Sequence, residues 1–341
     1  MNRENELQVI SFLKVMCMLL VVFGHACAVY TGSWCGFTPL TNAAVLGFIN
    51  KWFSTFHVQA FTFASGYIFY YLRYEKGKYR NTKKDIIKRS KRLLLPYCVF
   101  ALWAIVFDVI YGAISIKGVI KNYLFAVSPS QLWFLVMLFS VFLLFYFVGD
   151  YLEKIPGVIS FALLLAIYYA SGVIGKYLPL GFFQIGRTLE YMIFYYLGFI
   201  IRKYCDRISQ WQRRGVIITE IGFVLPFLYL TTYKANILAP INTFVEPFIS
   251  VVGVLFLYFI SQMLCEKVRL ETKIFNTLKD NSMGIYLIHQ QIMYVGLSLF
   301  MRGGVTPLIT VIMSFVFSMV ASTFFSIVIR KTKFGRSCLG E

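Results

Sequence analysis

The chain has 341 residues, of which 59% are hydrophobic and only 14% charged, and its formal net charge is +18 at pH 7. Its mean hydropathy of +0.70 excludes an ordinary water-soluble domain. In a soluble chain the positive charge would indicate nucleic acid. Here the basic residues cluster at the ends of apolar runs, so we expect contact with a lipid bilayer and no nucleic acid partner.

Ten apolar runs of about 20 residues, each long enough to cross a bilayer, follow one another along the chain. They predict an all-α fold, a polytopic membrane helix bundle of about ten transmembrane helices, in a single domain over residues 1–341. In chain order the predicted spans are 7–29, 45–71, 93–113, 131–148, 156–174, 182–201, 215–232, 243–264, 281–301 and 305–329.

The distribution of lysine and arginine predicts the orientation of the bundle. Most of these residues lie in segments that would share a side with the N-terminus, and the largest group runs from Arg73 to Arg92. Because cytoplasmic loops are enriched in basic residues, both termini are expected in the cytoplasm. The predicted location is the cell membrane, as a multi-pass protein.

The first span carries two ionisable residues, Lys14 and His25. Their spacing is about three helical turns, so they share one helix face and lie roughly 16 Å apart along the axis. A charged lysine near the bilayer centre costs about 2.5–3.5 kcal/mol, and such residues usually mark a functional site. Lys14 is expected on the inner half of the span and His25 on the outer half.

The other two histidines, His57 and His289, also fall inside predicted spans. Histidine suits proton transfer because its ordinary pKa lies near neutrality, although a single buried histidine is as often a packing residue. In the segment HVQAFTFASGYIF, His57 and Ser65 are possible cavity-lining residues. In NSMGIYLIHQQ, Tyr286 lies one turn before His289, and we expect both near a polar cavity.

The strongest loop signal is KKDIIKRSKRLLLPY, residues 83–97. Basic residues before a span commonly serve as topology anchors or contact lipid headgroups. Alternatively Arg89 and Arg92, one helical turn apart, form a fork for phosphate groups at the cytoplasmic mouth. The cysteines show no paired spacing, so no metal site and no disulfide framework are predicted.

Five motifs in this order resemble the acyltransferase-3 family. They are the basic residue eleven positions before His25, the FH…F…SGY segment, Arg-x-x-Arg leading to LLLPY, QLWFL at 131–135 and SMGIYLIH at 282–289. Together they extend over nearly the whole chain. The family contains multi-pass membrane enzymes that move acyl groups, most often acetyl from acetyl-CoA, onto sugars of surface polysaccharides or their lipid-linked precursors.

The resemblance implies that His25 is the catalytic histidine and that Arg89 and Arg92 bind the donor. Lys14 stands where the family usually has an arginine, and Ser11 where an aspartate often occurs. Lysine keeps the charge but loses the planar fork for bidentate contacts. Lys14 then pairs with another helix, faces the donor, or is neutral.

The resulting hypothesis is an O-acyltransferase with acetyl-CoA or another acyl-CoA as donor and a surface glycan or lipid-linked sugar as acceptor. His25 acts as general base, or as a transiently acylated nucleophile. Lys14, Tyr286 and His57 are candidate donors to the oxyanion. The alternatives are a transporter or flippase of a lipid-linked sugar, which would commonly show paired repeats, and a non-catalytic membrane scaffold.

Overall fold

The computed structural model describes residues 3–341 except residues 33, 35, 40, 176, 234–238, 268–271 and 302–304. The described chain is all-helical and contains no β-strand, as the sequence predicts. Its helices are α1 (Arg3–Ala28), α2 (Ala44–Ser54), α3 (His57–Tyr70), α4 (Thr82–Ile110), α5 (Trp133–Lys154), α6 (Gly157–Ile174), α7 (Ile185–Lys203), α8 (Cys205–Ile208), α9 (Gln212–Tyr233), α10 (Ala239–Lys267), α11 (Lys273–Phe300), α12 (Pro307–Arg330) and α13 (Lys333–Cys338).

Each predicted span coincides with a helix or, for residues 45–71, with a pair of helices. Six helical segments within the described residues have the length and hydropathy of a membrane crossing. They are Glu6–Thr31, Thr82–Ile110, Ser130–Lys154, Gly157–Ile174, Val245–Lys267 and Pro307–Arg330. The chain is therefore a membrane-type helix bundle. The total of about ten crossings and the cytoplasmic termini stay predictions.

The second predicted span is not one continuous helix. The chain leaves the helical conformation at Phe56, where φ is −141°, so that α2 ends at Ser54 and α3 begins at His57. The His57 ring donates its Nδ1–H to the carbonyl of Phe53, across the break. This side-chain bond satisfies a carbonyl near the end of α2, and the prediction of a single span over 45–71 was wrong in this respect.

The segment 83–97, predicted as a loop before a span starting at residue 93, is helical. Helix α4 begins at Thr82 because Asn81 caps it: the Asn81 side chain accepts from the Lys84 N–H at 3.1 Å. In return the Asn81 N–H donates to the Asp85 carboxylate at 3.0 Å. This reciprocal cap extends α4 and places Arg89 and Arg92 on a continuous helix.

Helices α3 and α7 cross at close range. A side chain at Gly66 would collide with the backbone oxygen of Tyr195, and one at Gly198 with the backbone oxygen of Phe63. Small residues allow such an approach in membrane bundles. Since Ser65 precedes Gly66 and points elsewhere, α3 has one face fixed against α7 and an adjacent face free for the site described below.

Helix α12 faces α11 with a row of fully buried serines, Ser314, Ser318, Ser322 and Ser326. The Ser318 hydroxyl donates to the backbone oxygen of His289 at 2.8 Å, and Ser326 donates to the Asn281 side chain at 2.8 Å. Serine hydroxyls at a close interface hold transmembrane helices together. The position of α11, and therefore of His289, is set by this interface.

A buried ion cluster ties the start of α1 to the end of α7. The Arg202 guanidinium binds Glu6 from α1 and holds Glu75 through two bonds, of 2.5 and 2.6 Å. The Tyr67 hydroxyl lies 3.2 Å from the same guanidinium. Two carboxylates compensate the charge of Arg202, and a buried arginine is tolerated in such an arrangement.

Candidate active site

A cavity of about 300 Å³ lies among α1, α3, α4, α5, α7 and α11. Five residues predicted from the sequence line it: Lys14, Ser65, Arg89, Arg92 and Tyr286. Apolar and aromatic side chains complete much of its wall, namely Phe61, Ile68, Phe69, Leu72, Leu93, Phe134, Leu135, Leu138, Phe142 and Met283. A few polar groups in a mostly apolar wall are typical of a small-molecule site.

Two carboxylates, Asp280 and Glu341, line this cavity together with four cations, Lys14, Arg89, Arg92 and Lys279. Within the described residues no ion pair joins any of these cations to a carboxylate. Although Glu341 also lines the cavity, its carboxylate pairs with Arg330 at 3.0 Å. A concentration of positive charge without an ion-pair partner is suited to an anionic ligand.

Arg89 is a partly buried cation in the cavity wall. Its Nε is buried and has no hydrogen-bond partner, and its guanidinium lies 4.8 Å from the centre of the Phe142 ring. The aromatic face stabilises the charge in part but accepts no directed hydrogen bond. Since a buried donor without a partner costs free energy, Arg89 has unused binding capacity towards a ligand in the cavity.

Tyr79 contributes a neutral hydroxyl to the same cavity, in the segment between α3 and α4. Burial raises the pKa of this phenol above its ordinary value, while the nearby charges of Arg89 and Arg92 act in the opposite direction. Its O–H group therefore remains protonated at neutral pH and can donate a hydrogen bond.

A pair of histidines lies next to Tyr286, which is part of the cavity wall. Tyr286 lines the cavity, and its ring centre is 6.2 Å from that of His289 on the same helix. The His25 Nδ1 lies 3.0 Å from the His289 Nε2, and the planes of the two rings differ by only 11°. His25 and His289, far apart in the sequence, thus form one hydrogen-bonded unit next to the cavity.

None of the three histidines, His25, His57 and His289, is among the residues that line the cavity, in contrast to the expectation for His57 and His289. The His57 ring is directed back along its own chain to the Phe53 carbonyl. His289 is fully buried and lies behind Tyr286, against His25. The oxyanion role considered for His57 therefore has no support from its position.

Trp34 is a neighbour of His25 that the sequence patterns do not indicate. Its ring centre lies 5.4 Å from that of His25 and 5.5 Å from that of Tyr294. Two backbone bonds, of 3.0 and 2.9 Å, pair Trp34 with Phe37 in a tight turn. Gly36 lies so close to the backbone oxygen of Tyr111 that no side chain fits there, which docks this turn beside His25.

The glutamines that follow His289 hold helices together and do not line the cavity. Gln290 donates to the Ser130 hydroxyl at 2.7 Å, and Gln291 exchanges hydrogen bonds with Gln131 at 2.8 and 3.1 Å. The Tyr286 hydroxyl donates to the backbone oxygen of Gln131. These bonds attach the turn before α5 to α11 and fix the wall around the histidine pair.

One group of possible metal ligands occurs among the described residues, formed by Glu6, Cys205 and Asp206. Its potential ligand atoms lie within 4.8 Å of one another. Because the Glu6 carboxylate already binds the Arg202 guanidinium, a further cation there would be opposed by that charge. The group lies in the ion cluster of α1 and α7 and is not among the residues that line the cavity.

Comparison with known proteins shows the family of the chain. A family model described as an acyltransferase domain, the acyltransferase-3 model, matches residues 8–331. The chain belongs to the acyltransferase-3 family. No match was found among curated proteins or among solved structures. The family match covers the helices that form the cavity and both histidines, and it supports a membrane acyltransferase.

Proposed function

We propose that this acyltransferase moves an acetyl or other short acyl group from acyl-CoA to a hydroxyl of a cell-surface polysaccharide or its lipid-linked precursor, in the cell membrane. One observation carries the proposal: a cavity lined by four cations has Tyr286 in its wall, and Tyr286 lies next to the hydrogen-bonded pair His25–His289. Cations suit the phosphates of coenzyme A, and a histidine suits removal of a hydroxyl proton.

The donor enters at the end of the cavity formed by Arg89, Arg92 and Lys14. Arg89 and Arg92 bind the phosphates of the nucleotide, where bidentate guanidinium contacts are strong. The flexible pantetheine arm then follows the apolar wall past Ser65 towards Tyr286. The rise of an α-helix between positions 14 and 25, roughly 16 Å, separates the phosphate end from the reaction centre.

The acceptor approaches His25 from the opposite end of α1. His25 is half-buried and lies beside Trp34, which comes from the segment after α1. The flat, apolar face of a tryptophan packs against the carbon-bound hydrogens of a sugar ring while the hydroxyls point outward. Trp34 therefore offers an acceptor sugar a surface next to the catalytic base.

The transfer requires one proton removal and one bond exchange. His25 takes the proton of the acceptor hydroxyl while the hydroxyl oxygen attacks the thioester carbonyl carbon. The carbon–sulfur bond then breaks, the acyl group stays on the new ester, and the thiolate receives the proton from His25. Groups at the end of the cavity stabilise the negative charge that forms on the carbonyl oxygen.

The test uses membranes that contain wild-type protein or His25→Ala, supplied with labelled acetyl-CoA and candidate glycans. Loss of the general base is expected to lower label transfer by about 10²–10⁴-fold. His57→Gln is the matched control, since it changes another histidine of the bundle, whose ring is bound to the Phe53 carbonyl and not to His289. Equal transfer by wild type and a correctly inserted His25→Ala protein would refute the assignment.

A further inference from the structure

We propose that His289 is a positioning residue, which fixes His25 in the tautomer with the proton on Nδ1 and a free lone pair on Nε2. The inference deepens the proposed function, because it names the nitrogen of His25 that would act as base. It follows from hydrogen-bond partners alone. Which nitrogen carries the proton is inferred from these partners.

The proton of His289 is located by its backbone contacts. The His289 Nδ1 lies 3.0 Å from the carbonyl oxygen of Ile285 and 2.8 Å from that of Tyr286. A carbonyl oxygen only accepts hydrogen bonds, so Nδ1 must carry the proton. Both carbonyls belong to the preceding turn of α11, so this preference is built into the helix.

The remaining nitrogen of His289 is then an acceptor. His289 is fully buried in a helix of the membrane bundle, where a charged imidazolium without a carboxylate is unfavourable. Among the described residues, its ring hydrogen bonds go to the two carbonyls and to His25. A neutral ring with a proton on Nδ1 has a lone pair on Nε2.

The acceptor on His289 determines the state of His25. The His25 Nδ1 lies 3.0 Å from the His289 Nε2, so His25 must donate its Nδ1–H to form the bond. A neutral His25 then has an unprotonated Nε2, which is the nitrogen able to take a proton from the acceptor. When His25 becomes charged, its Nδ1–H bond to His289 becomes a charge-assisted bond and is strengthened.

Neighbouring contacts prevent His289 from turning away. The ring is held on one side by the bond from Nδ1 to the Ile285 carbonyl and on the other side by the bond to His25. The Ser318 hydroxyl of α12 also donates to the backbone oxygen of His289 at 2.8 Å. A partner that orients the base commonly fixes its tautomer through a hydrogen bond to the second ring nitrogen. In this chain a second histidine serves that purpose.

Nitrogen-15 NMR of the full chain in lipid bilayers tests the inference directly, since ring nitrogen shifts distinguish the two tautomers. The chain has only 3 histidines, so selective labelling gives a simple spectrum, and a His25→Ala sample assigns the signals. Neutral His25 with the proton on Nδ1 is the expected result. A proton on Nε2 of His25 in the wild-type protein would overturn the proposal.

Substitutions separate positioning from packing. His289→Gln keeps an acceptor near the position of Nε2, whereas His289→Leu removes it. We expect Leu to shift His25 towards the other tautomer and to lower kcat at least tenfold with an unchanged KM for acetyl-CoA, and Gln to recover much of the loss. Ser326→Ala, which removes a different buried hydrogen bond between α12 and α11, controls for damage to the helix packing.

The two readouts distinguish failure of this inference from failure of the proposed function. The NMR measurement needs no substrate, so the tautomer can be established even if acyl transfer is not observed. An unchanged His25 tautomer in a folded His289→Leu protein would refute the positioning role while leaving His25 as a base. Absence of transfer in wild type with the expected tautomer would contradict only the proposed function.

Discussion

Two groups of charged residues lie in this helix bundle, and their cations differ in whether carboxylates neutralise them. Arg202 is bound by Glu6 and Glu75 and lies 3.2 Å from the Tyr67 hydroxyl. Lys14 and Arg89 face a cavity and have no ion-pair partner among the described residues. Helix α1 contributes to both groups, with Glu6 to the first and Lys14 to the second.

The difference separates structure from ligand binding. A buried arginine with two carboxylates has its hydrogen-bonding capacity satisfied within the protein, so its contribution is to connect helices. A cation with spare capacity in a cavity binds most favourably when an anionic ligand is present. Substitutions in the two groups should therefore affect different measurements.

The largest effect is expected at the paired cation. Arg202→Met leaves Glu6 buried without its partner, and removing one member of a buried pair costs about 3–5 kcal/mol. The free energy of unfolding in detergent or bicelles should fall by this amount, with transfer per folded molecule preserved. A stable Arg202→Met protein with impaired transfer would mean that Arg202 belongs functionally with the cavity.

The second effect concerns donor binding by Arg89. Arg89→Gln removes a charge-assisted contact worth about 1.5–3 kcal/mol, so the KM for acetyl-CoA should rise roughly 10–100-fold with little change in stability. Arg73→Gln is the control, because it removes an equal charge whose partner is Asp150 at 2.7 Å. If both variants raise KM equally, the effect is general electrostatics and not a contact in the cavity.

The smallest effect is expected at Lys14, where stability and transfer should not fall together. Lys14→Met should leave the free energy of unfolding unchanged or raise it, because it removes an unpaired cation from an apolar helix, while transfer falls about tenfold. Lys14→Arg keeps the charge and should retain transfer. Destabilisation by Lys14→Met would show that Lys14 has a structural partner and would break the contrast with Arg202.

The sequence predicted the elements that depend on local patterns. Hydropathy located the helices, and Arg89 and Arg92, predicted to lie one helical turn apart, are on α4 and line the cavity. The break between α2 and α3 was missed because neither proline nor glycine occurs at Thr55–Phe56, and the side-chain bond from His57 is not visible in a pattern. Hydropathy does not locate the start of α4, because its first turns are rich in basic residues and the helix is started by the Asn81 cap.

Contacts between distant segments were beyond the reach of sequence patterns. His25 and His289 were each singled out, yet their hydrogen bond depends on how α1, α11 and α12 pack. Local patterns do not indicate the role of Arg202, since Glu6 and Glu75 that bind it lie far away in the chain. Trp34 lies outside any regular helix, where hydropathy periodicity carries no information.

The adjacent residues Ser65 and Gly66 have a consequence for the size of the transferred group. Gly66 fixes α3 against the backbone of α7, so the wall that contains Ser65 has no room to move outward. Under the proposed function, the room for a larger acyl group as it passes Ser65 is therefore set by side chains that line the cavity, such as Phe61 and Phe134, and not by a shift of helices. Single substitutions in these aromatics are expected to change the chain-length preference.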